Sequence, residues 1–429
     1  MNKSIDFIIL YEHIAREMET AALLSAELKR RGYSVDIAEV GSLRKGKKYG
    51  VVLLPYLYST SNLFPVLHMA RNDVRKIINL QYEQVYSQKL ENEKKLHPSG
   101  LAQKAQHIVW GEATGKRLEK FGVSKENIHL TGHIGMDLNS PQFDKVFMTR
   151  KEISREFSLN ENKKWHLFIS SFSYCNMSSA QKKRLSGMIG QTDEIIKIQE
   201  ESQKIILQWF ENYLINNEDT YIIYRPHPAE ETDNKLAVLE KNFSNFKVIK
   251  SYSIRQWIKV CDSISNWFST SIADIYFANK KCAVLRPVKM PKEIDNIILD
   301  NEKSFIVTEQ DFKMYMEKNI AEFPATTAVI EAYYGKWNDG KCYIRLADLC
   351  EKVLKDDKYS YDYTRDINIS AYKRIKVWLY QVLVNLSAYL RVWRLLPGKH
   401  RAAFRSKYIE QRNYKEIFEK YEKVFEQII

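Results

Sequence analysis

The chain has 429 residues, 45% of them hydrophobic, with 26 Tyr and 8 Trp against 15 Gly and 10 Pro, which excludes extensive disorder and leaves room for two globular domains and an extension. A formal net charge of +13 implies an anionic partner and does not choose among nucleotide, lipid head group and nucleic acid. Five cysteines without a CxxC pair exclude a disulfide framework and point to a reducing compartment; the start, one cation before a short apolar run, is too short for a secretory leader, and the chain reads as cytoplasmic.

Taken in order, Ile5 to Leu10 reads as a first strand. Tyr11 to Thr20 follows, then a helix through Arg31 that Gly32 caps. Tyr33 to Val40 and Val51 to Leu54 are the next strands, the latter stopping at Pro55. Ile77 to Gln84 reads as a strand whose carboxyl end presents Glu83, and Ala105 to Trp110 and His129 to Asp137 continue the alternation. Strands alternating with helices predict an α/β, doubly wound parallel sheet. The polar stretch from Pro141 to Lys164 reads as a linker. Trp165 to Ser171 then opens a second sheet, with Phe246 to Ile249 and Cys282 to Pro287 expected on either side of the strand at Asp262 to Phe268.

Beyond Glu331 a loop leads into a helix from Tyr343 to Val353, and the character changes. Residues 371–429 hold 13 Lys or Arg against 5 Glu and no Asp. Within them Val377 to Leu390 is strongly apolar and ends at Arg391, Arg394 and Lys399, too early for a span of ~20 residues. Two readings fit this pattern: an interfacial helix lying on anionic lipid, or a helix packed on the preceding domains with a solvated basic face. Tyr372, Trp378 and Trp393 among the basic residues imitate a single-strand nucleic-acid surface, but no nucleic acid is expected as partner.

The chemistry concentrates at two stretches. Tyr221 to Tyr224 is a short strand halted by Pro226 and Pro228, which cannot extend a ladder, so Arg225 and His227 fall at a strand carboxyl end, where ligands bind in open α/β sheets. The alternative is a turn with a capping arginine and a buried histidine. Downstream, Ser269-Thr270-Ser271 joins a strand to the helical spacing of Ile272 to Ala278; hydroxyls at a helix start suit a phosphate, or serve as an ordinary N-cap. Spacings for dinucleotide and NTP loops or for a nucleophile elbow are absent from the sequence. His129 and His133 lie on a strand and turn, so they would not share a face as metal ligands do.

The paired Arg225-Pro226-His227-Pro228 and Ser269-Thr270-Ser271 resemble the HP and S/T motifs of bacterial surface-polysaccharide transferases of the GT-B fold, among them capsule Kdo transferases, polysialyltransferases and CDP-glycerol (teichoic acid) polymerases. Arg16 to Leu24, Thr131 to Asp137 and Asn338-Asp339-Gly340-Lys341 are most similar to the surface carbohydrate biosynthesis branch, with His133 where that branch more often has Asn. The resemblance implies a GT-B fold of two Rossmann-like doubly wound domains facing a cleft: an acceptor domain at 1–145, a nucleotide-donor domain at 160–330, and a crossing helix and basic helical tail at 331–429. It implies that His227 contacts the donor phosphate and that Ser269, Thr270 and Ser271 bind phosphate or nucleotide. Arg225 either adds a bidentate phosphate contact or supports the turn.

Such groups stabilise a departing nucleoside phosphate without a metal, so neither metal nor cofactor is expected beyond the nucleotide-activated sugar itself. The resemblance ranks a CMP-linked acidic sugar above CDP-glycerol or CDP-ribitol as donor, with a glycan or lipid-linked acceptor. A general base must take the acceptor proton. Glu83 is the first candidate, followed by His13 and Glu17; Glu17 alternatively pairs with Arg16 or Lys29, and His13 is alternatively a surface residue. The expected setting is the inner face of the plasma membrane, with the 371–429 tail on its anionic surface. A non-catalytic assembly component that holds lipid or nucleic acid is the alternative from another class.

Overall fold

The computed structural model describes residues 5–42, 47–175, 192–227, 230, 234–318, 320–337, 339–356, 361–367, 371–396, 401 and 404–429. Pro228, Asn338 and Lys399 of the sequence argument lie outside the described residues. The main elements begin with β1 (Ile5–Tyr11), α1 (Ile14–Arg30), β2 (Val35–Glu39), β3 (Tyr49–Leu54), β4 (Ile77–Asn79), β5 (Gln106–Val109), α2 (Glu112–Lys120) and β6 (Ile128–Leu130). Next come α3 (Arg150–Phe157), β7 (Lys164–Ile169), α4 (Thr192–Leu214), β8 (Thr220–Arg225), α5 (Asn234–Asn242), β9 (Phe246–Val248), α6 (Ile254–Val260), β10 (Ser263–Asn266), α7 (Ile272–Phe277), β11 (Ala283–Val284) and α8 (Glu309–Lys318). The chain closes with α9 (Cys342–Lys355), α10 (Ala371–Tyr389) and α11 (Lys415–Ile428). Two compact units result: Met1–Gln84 with Glu91–Val146 and Ala332–Ile429, and Val85–Leu90 with Phe147–Glu331.

The first unit is built on a parallel sheet of order β2-β1-β3-β4-β5-β6. Its central strands are near-continuous apolar runs, Phe7 to Leu10 and Val51 to Leu54, all buried, as strands covered on both faces must be. Helix α1 ends where Gly32 adopts φ +91°, a left-handed position that glycine takes without strain. Every residue of α1 from Glu17 to Leu28 is buried, because α11 covers the side turned from the sheet. There Phe418 and Phe425 are buried, and Glu422 accepts from Ser25 Oγ at 2.6 Å and Lys29 Nζ at 2.7 Å. The last helix of the tail thus belongs to the core of the first unit, whereas the sequence reading set 331–429 apart.

Two further differences have local causes. The strand expected to run to Gln84 ends at Asn79, because the Asn79 and Gln81 side chains are buried and joined at 2.9 Å while Gln81 turns to φ +42°. The stretch expected as linker contains α3, started by the reciprocal cap of Thr149 and Glu152, a signature that Thr149-x-x-Glu152 carries in the sequence.

The second unit has a parallel sheet of order β11-β10-β7-β8-β9. Its core gathers Phe168, Phe172, Phe210, Tyr224, Trp267 and Phe312. The strand after Cys261 was expected between those at Phe246 and Cys282; instead β7 is its inner neighbour and β9 is the far edge. Strand order therefore reverses between β7 and β10, and a crevice at the strand carboxyl ends follows from such a reversal.

Candidate functional site

The parallel register puts Arg225 of β8 and Asn266 of β10 level with the same residue of β7, Ile169, on either side of it. The segments that follow, carrying His227 and Ser269 to Ser271, therefore leave the sheet at one edge, about 10 Å apart by strand spacing. Beyond β8, Pro226 is buried and His227 exposed. Arg225 supports the neighbouring loop: its guanidinium donates to the carbonyls of Ile249 at 3.2 Å, Ser251 at 2.6 Å and Tyr252. All three carbonyls belong to the segment that follows β9.

The His227 turn rests on a residue to which the sequence reading assigned no role. Glu230 is buried, and its carboxylate accepts the Tyr224 hydroxyl at 2.6 Å, the Ser170 hydroxyl and the His227 N–H at 3.0 Å. Its own N–H returns to the His227 carbonyl at 2.8 Å. Burial pushes the Glu230 carboxyl above its usual range, against the pull of these donors, and burial beside Glu230 drives the Tyr224 phenol up as well. Glu230 lies two residues beyond the Arg225-Pro226-His227-Pro228 motif, and a carboxylate three residues past a histidine has no spacing signal of its own.

At the other turn, Asn266 is buried and its Oδ1 accepts the Ser269 N–H at 3.3 Å, while Ser269 Oγ accepts the Ser271 N–H at 3.2 Å. Ser269 thus acts as a local turn former, Ser271 is the N-cap of α7 without a side-chain cap bond, and Thr270 is exposed. Helix α7 has six residues, so its dipole is a minor contribution. Asp274 in its first turn is buried and paired with Arg255 at 2.9 Å, and Asp262 holds Arg150 at 3.0 Å; both brace the scaffold.

A cavity of about 80 Å³ opens beside the strand-order reversal, between Tyr174 and Gln199 beyond β7 and Trp267 and Phe268 at the end of β10, with Met290 and Lys89 also in its wall. Lys89 belongs to this unit because Ser87 bridges Asn296 and the Lys89 N–H reaches the Glu293 carbonyl at 2.9 Å. No local sequence signal assigns residues 85–90 to the second sheet.

In the first unit, the three base candidates gather around Arg16. Glu17 is fully buried; one oxygen accepts Arg16 Nη2 at 2.6 Å and Nε at 2.9 Å, and the other accepts the Glu12 N–H at 2.7 Å. Burial pushes its carboxyl up while Arg16 pulls it down. Glu83, expected at a strand end, stands four residues past Asn79, exposed, and takes Arg16 Nη1 at 2.8 Å. His13 precedes α1, partly exposed, with Nε2 3.8 Å from the Glu12 carboxylate. Beside them the sequence reading missed Tyr56 and Tyr58, stacked at 5.9 Å just past β3. Burial and then Glu12 and Glu17 push the Tyr56 phenol up to about 12.

No protein-family model matches the chain. No curated protein matches it either. Among solved structures it is similar to S. aureus MnaA with UDP, at 14% identity over 83% of this chain and 99% of that one, with a TM-score of 0.50. It is similar to the wall teichoic acid polymerase TagF soaked with CDPG, at 9% identity over 84% of this chain and 92% of that one, with a TM-score of 0.54. A protein assigned as a UDP-N-acetylglucosamine 2-epimerase from Listeria monocytogenes covers 80% of this chain and 95% of its own at 11% identity, with a TM-score of 0.50. At these identities the likeness carries the fold alone: with its two parallel sheets, the chain has the GT-B fold.

Proposed function

We propose that the chain is a transferase of bacterial surface-polymer synthesis, moving a sugar from a nucleotide-activated donor, CMP-linked in the first instance, to a glycan or lipid-linked acceptor at the inner face of the plasma membrane. The observation that carries this reading is the shared carboxyl edge of the second sheet, where the His227 turn and the hydroxyl turn flank β7. In the proposed reaction the acceptor oxygen bonds to the anomeric carbon as the bond from that carbon to the nucleoside phosphate breaks, its electron pair leaving with the phosphate. The His227 imidazole and the hydroxyls of Ser269, Thr270 and Ser271 would offset that growing charge. Each unit supplies its own part, the second holding the donor and the first the acceptor.

For the proton of the acceptor hydroxyl, His13 fits better than the carboxylates. Glu17 already holds Arg16 and the Glu12 N–H, and Glu83 is matched by Arg16, whereas the His13 ring has Glu12 beside it to orient it, as a base needs. A second reading, transfer of a polyol phosphate, is favoured by the likeness to a polymerase soaked with CDPG. There the acceptor oxygen would attack phosphorus, CMP would leave, and the phosphate would stay in the polymer. Labelled phosphorus retained in the product distinguishes the two.

The test is a melting-temperature screen with CMP, CDP, UDP and GDP, since a ligand of the native state raises its melting point by mass action. CMP or CDP is expected to stand apart. His227→Ala is expected to slow donor turnover by about 100-fold or more with an unchanged melt. Equal shifts from all four nucleotides, or wild-type turnover by this variant, would overturn the reading.

A further inference from the structure

Helix α10 carries an apolar stripe that is exposed along its described residues. Among its described side chains none is buried, and Ile375, Trp378, Leu379, Leu383, Leu386 and Tyr389 are 45–83% exposed. They recur at intervals of three and four and so share one side of the helix. The stripe runs on through Leu390 and Val392 to Leu395 and Leu396, all exposed. A continuous apolar surface of this kind marks an interaction site rather than ordinary solvent exposure.

Charge selects the occupant. Residues 371–409 contain nine Lys or Arg and no Asp or Glu, and Lys376, Arg391, Arg394, Arg401 and Arg405 are exposed around the stripe. A second copy of the chain would set this all-basic rim against itself, whereas an anionic bilayer complements it. Trp378, Tyr389 and Trp393 supply the amphipathic rings that settle at a head-group layer. Among the described residues no helix is long and apolar enough to cross a membrane, so the helix would lie on the surface.

The stripe is also tied to a particular place in the first unit. The hydroxyls of Tyr380 and Tyr408 meet at 2.6 Å. Three residues after Tyr408, Gln411 accepts the Tyr11 hydroxyl at 2.5 Å and the Ile14 N–H at 2.8 Å; these two residues bracket His13. We propose that α10 and the turn Val392–Leu395 form a docking element that lies in the head-group layer of an anionic bilayer and holds the carboxyl edge of the first sheet at that surface. The docking stands on these contacts and charges; that it brings a lipid-linked acceptor to His13 rests on the transfer reading above.

Flotation of the full chain with vesicles tests the docking. The chain is expected to float with phosphatidylcholine–phosphatidylglycerol vesicles, to remain behind with phosphatidylcholine alone, and to be released by salt. Trp378→Glu with Leu383→Glu is expected to weaken partition into the anionic vesicles by about tenfold or more, with the melting temperature and the nucleotide shift unchanged. Undiminished flotation of this double variant, or no flotation of the wild type, would overturn the proposal. So would a wild-type dimer in light scattering that the double variant dissolves without any vesicle binding, which would make the stripe a contact between copies. Because the nucleotide shift is read without lipid, loss of docking and loss of the transfer reading appear in different measurements.

Discussion

Glu230 holds the loop that presents His227, from a position closed to solvent. Three donors converge on its carboxylate, so Glu230→Ala leaves the buried Tyr224 and Ser170 hydroxyls, which also meet each other at 2.9 Å, one acceptor short and takes the carboxylate from the part-buried His227 N–H. That change is expected to cost about 2–4 kcal/mol in urea unfolding and to raise the donor KM, because the turn loses its tether. Glu230→Gln keeps acceptor oxygen at the same point and should recover much of both. An effect on stability with an unchanged KM would mean that the turn keeps its shape without the carboxylate. Arg225 makes the complementary point: next to the histidine and cationic, it nevertheless points its guanidinium at loop carbonyls. Side-chain direction decides both roles, and neither could be read from residue type.

Among the elements, α9 shows what the motifs at Thr131 to Asp137 and around Asp339 accomplish. Asp137, 1% exposed, accepts the N–H groups of Cys342 at 3.1 Å and Tyr343 at 2.7 Å at the start of the helix. Arg345 donates to the Thr131 carbonyl at 3.0 Å, pairs with Asp339 at 2.7 Å and lies 4.0 Å from the centre of the Trp337 ring. The two motifs thus lock one helix end. Burial pushes the Asp137 carboxyl from 3.8 up to about 6, the helix N–H groups only partly opposing it. The folded state therefore holds this proton more tightly than the unfolded chain, and the stability it contributes is complete below pH ~4 and lost as pH rises through about 6. Roughly 3 kcal/mol is expected to disappear across that window. Asp137→Asn, followed by denaturant melts between pH 4 and 7, should flatten this part of the profile.

Over the whole molecule, the alternation of strands and helices was legible because both sheets are parallel and buried on two faces, which forces runs such as Phe7 to Leu10 and Val51 to Leu54. The turn at His227 was legible through its prolines. The end of β4 was not, since Asn79 and Gln81 look like solvent residues and are buried against each other. The tail was legible only as an ambiguity between a helix on lipid and a helix packed on the domains: α10 leaves its described side chains unburied, while α11 buries Phe418 and Phe425 on α1, hundreds of positions away in the chain. The membership of residues 85–90 in the second unit was invisible, because it depends on Asn296 and Glu293.

That short excursion has a bearing on how such proteins can be recombined. A cassette cut at 147 and 331 would leave its Lys89 wall in the donor gene, so a chimera made by exchanging that block alone should yield a poorly soluble product of lowered melting temperature. Moving 85–90 together with it should restore a folded half, and comparing the melts of the two hybrids would reveal whether the strip travels with its sheet.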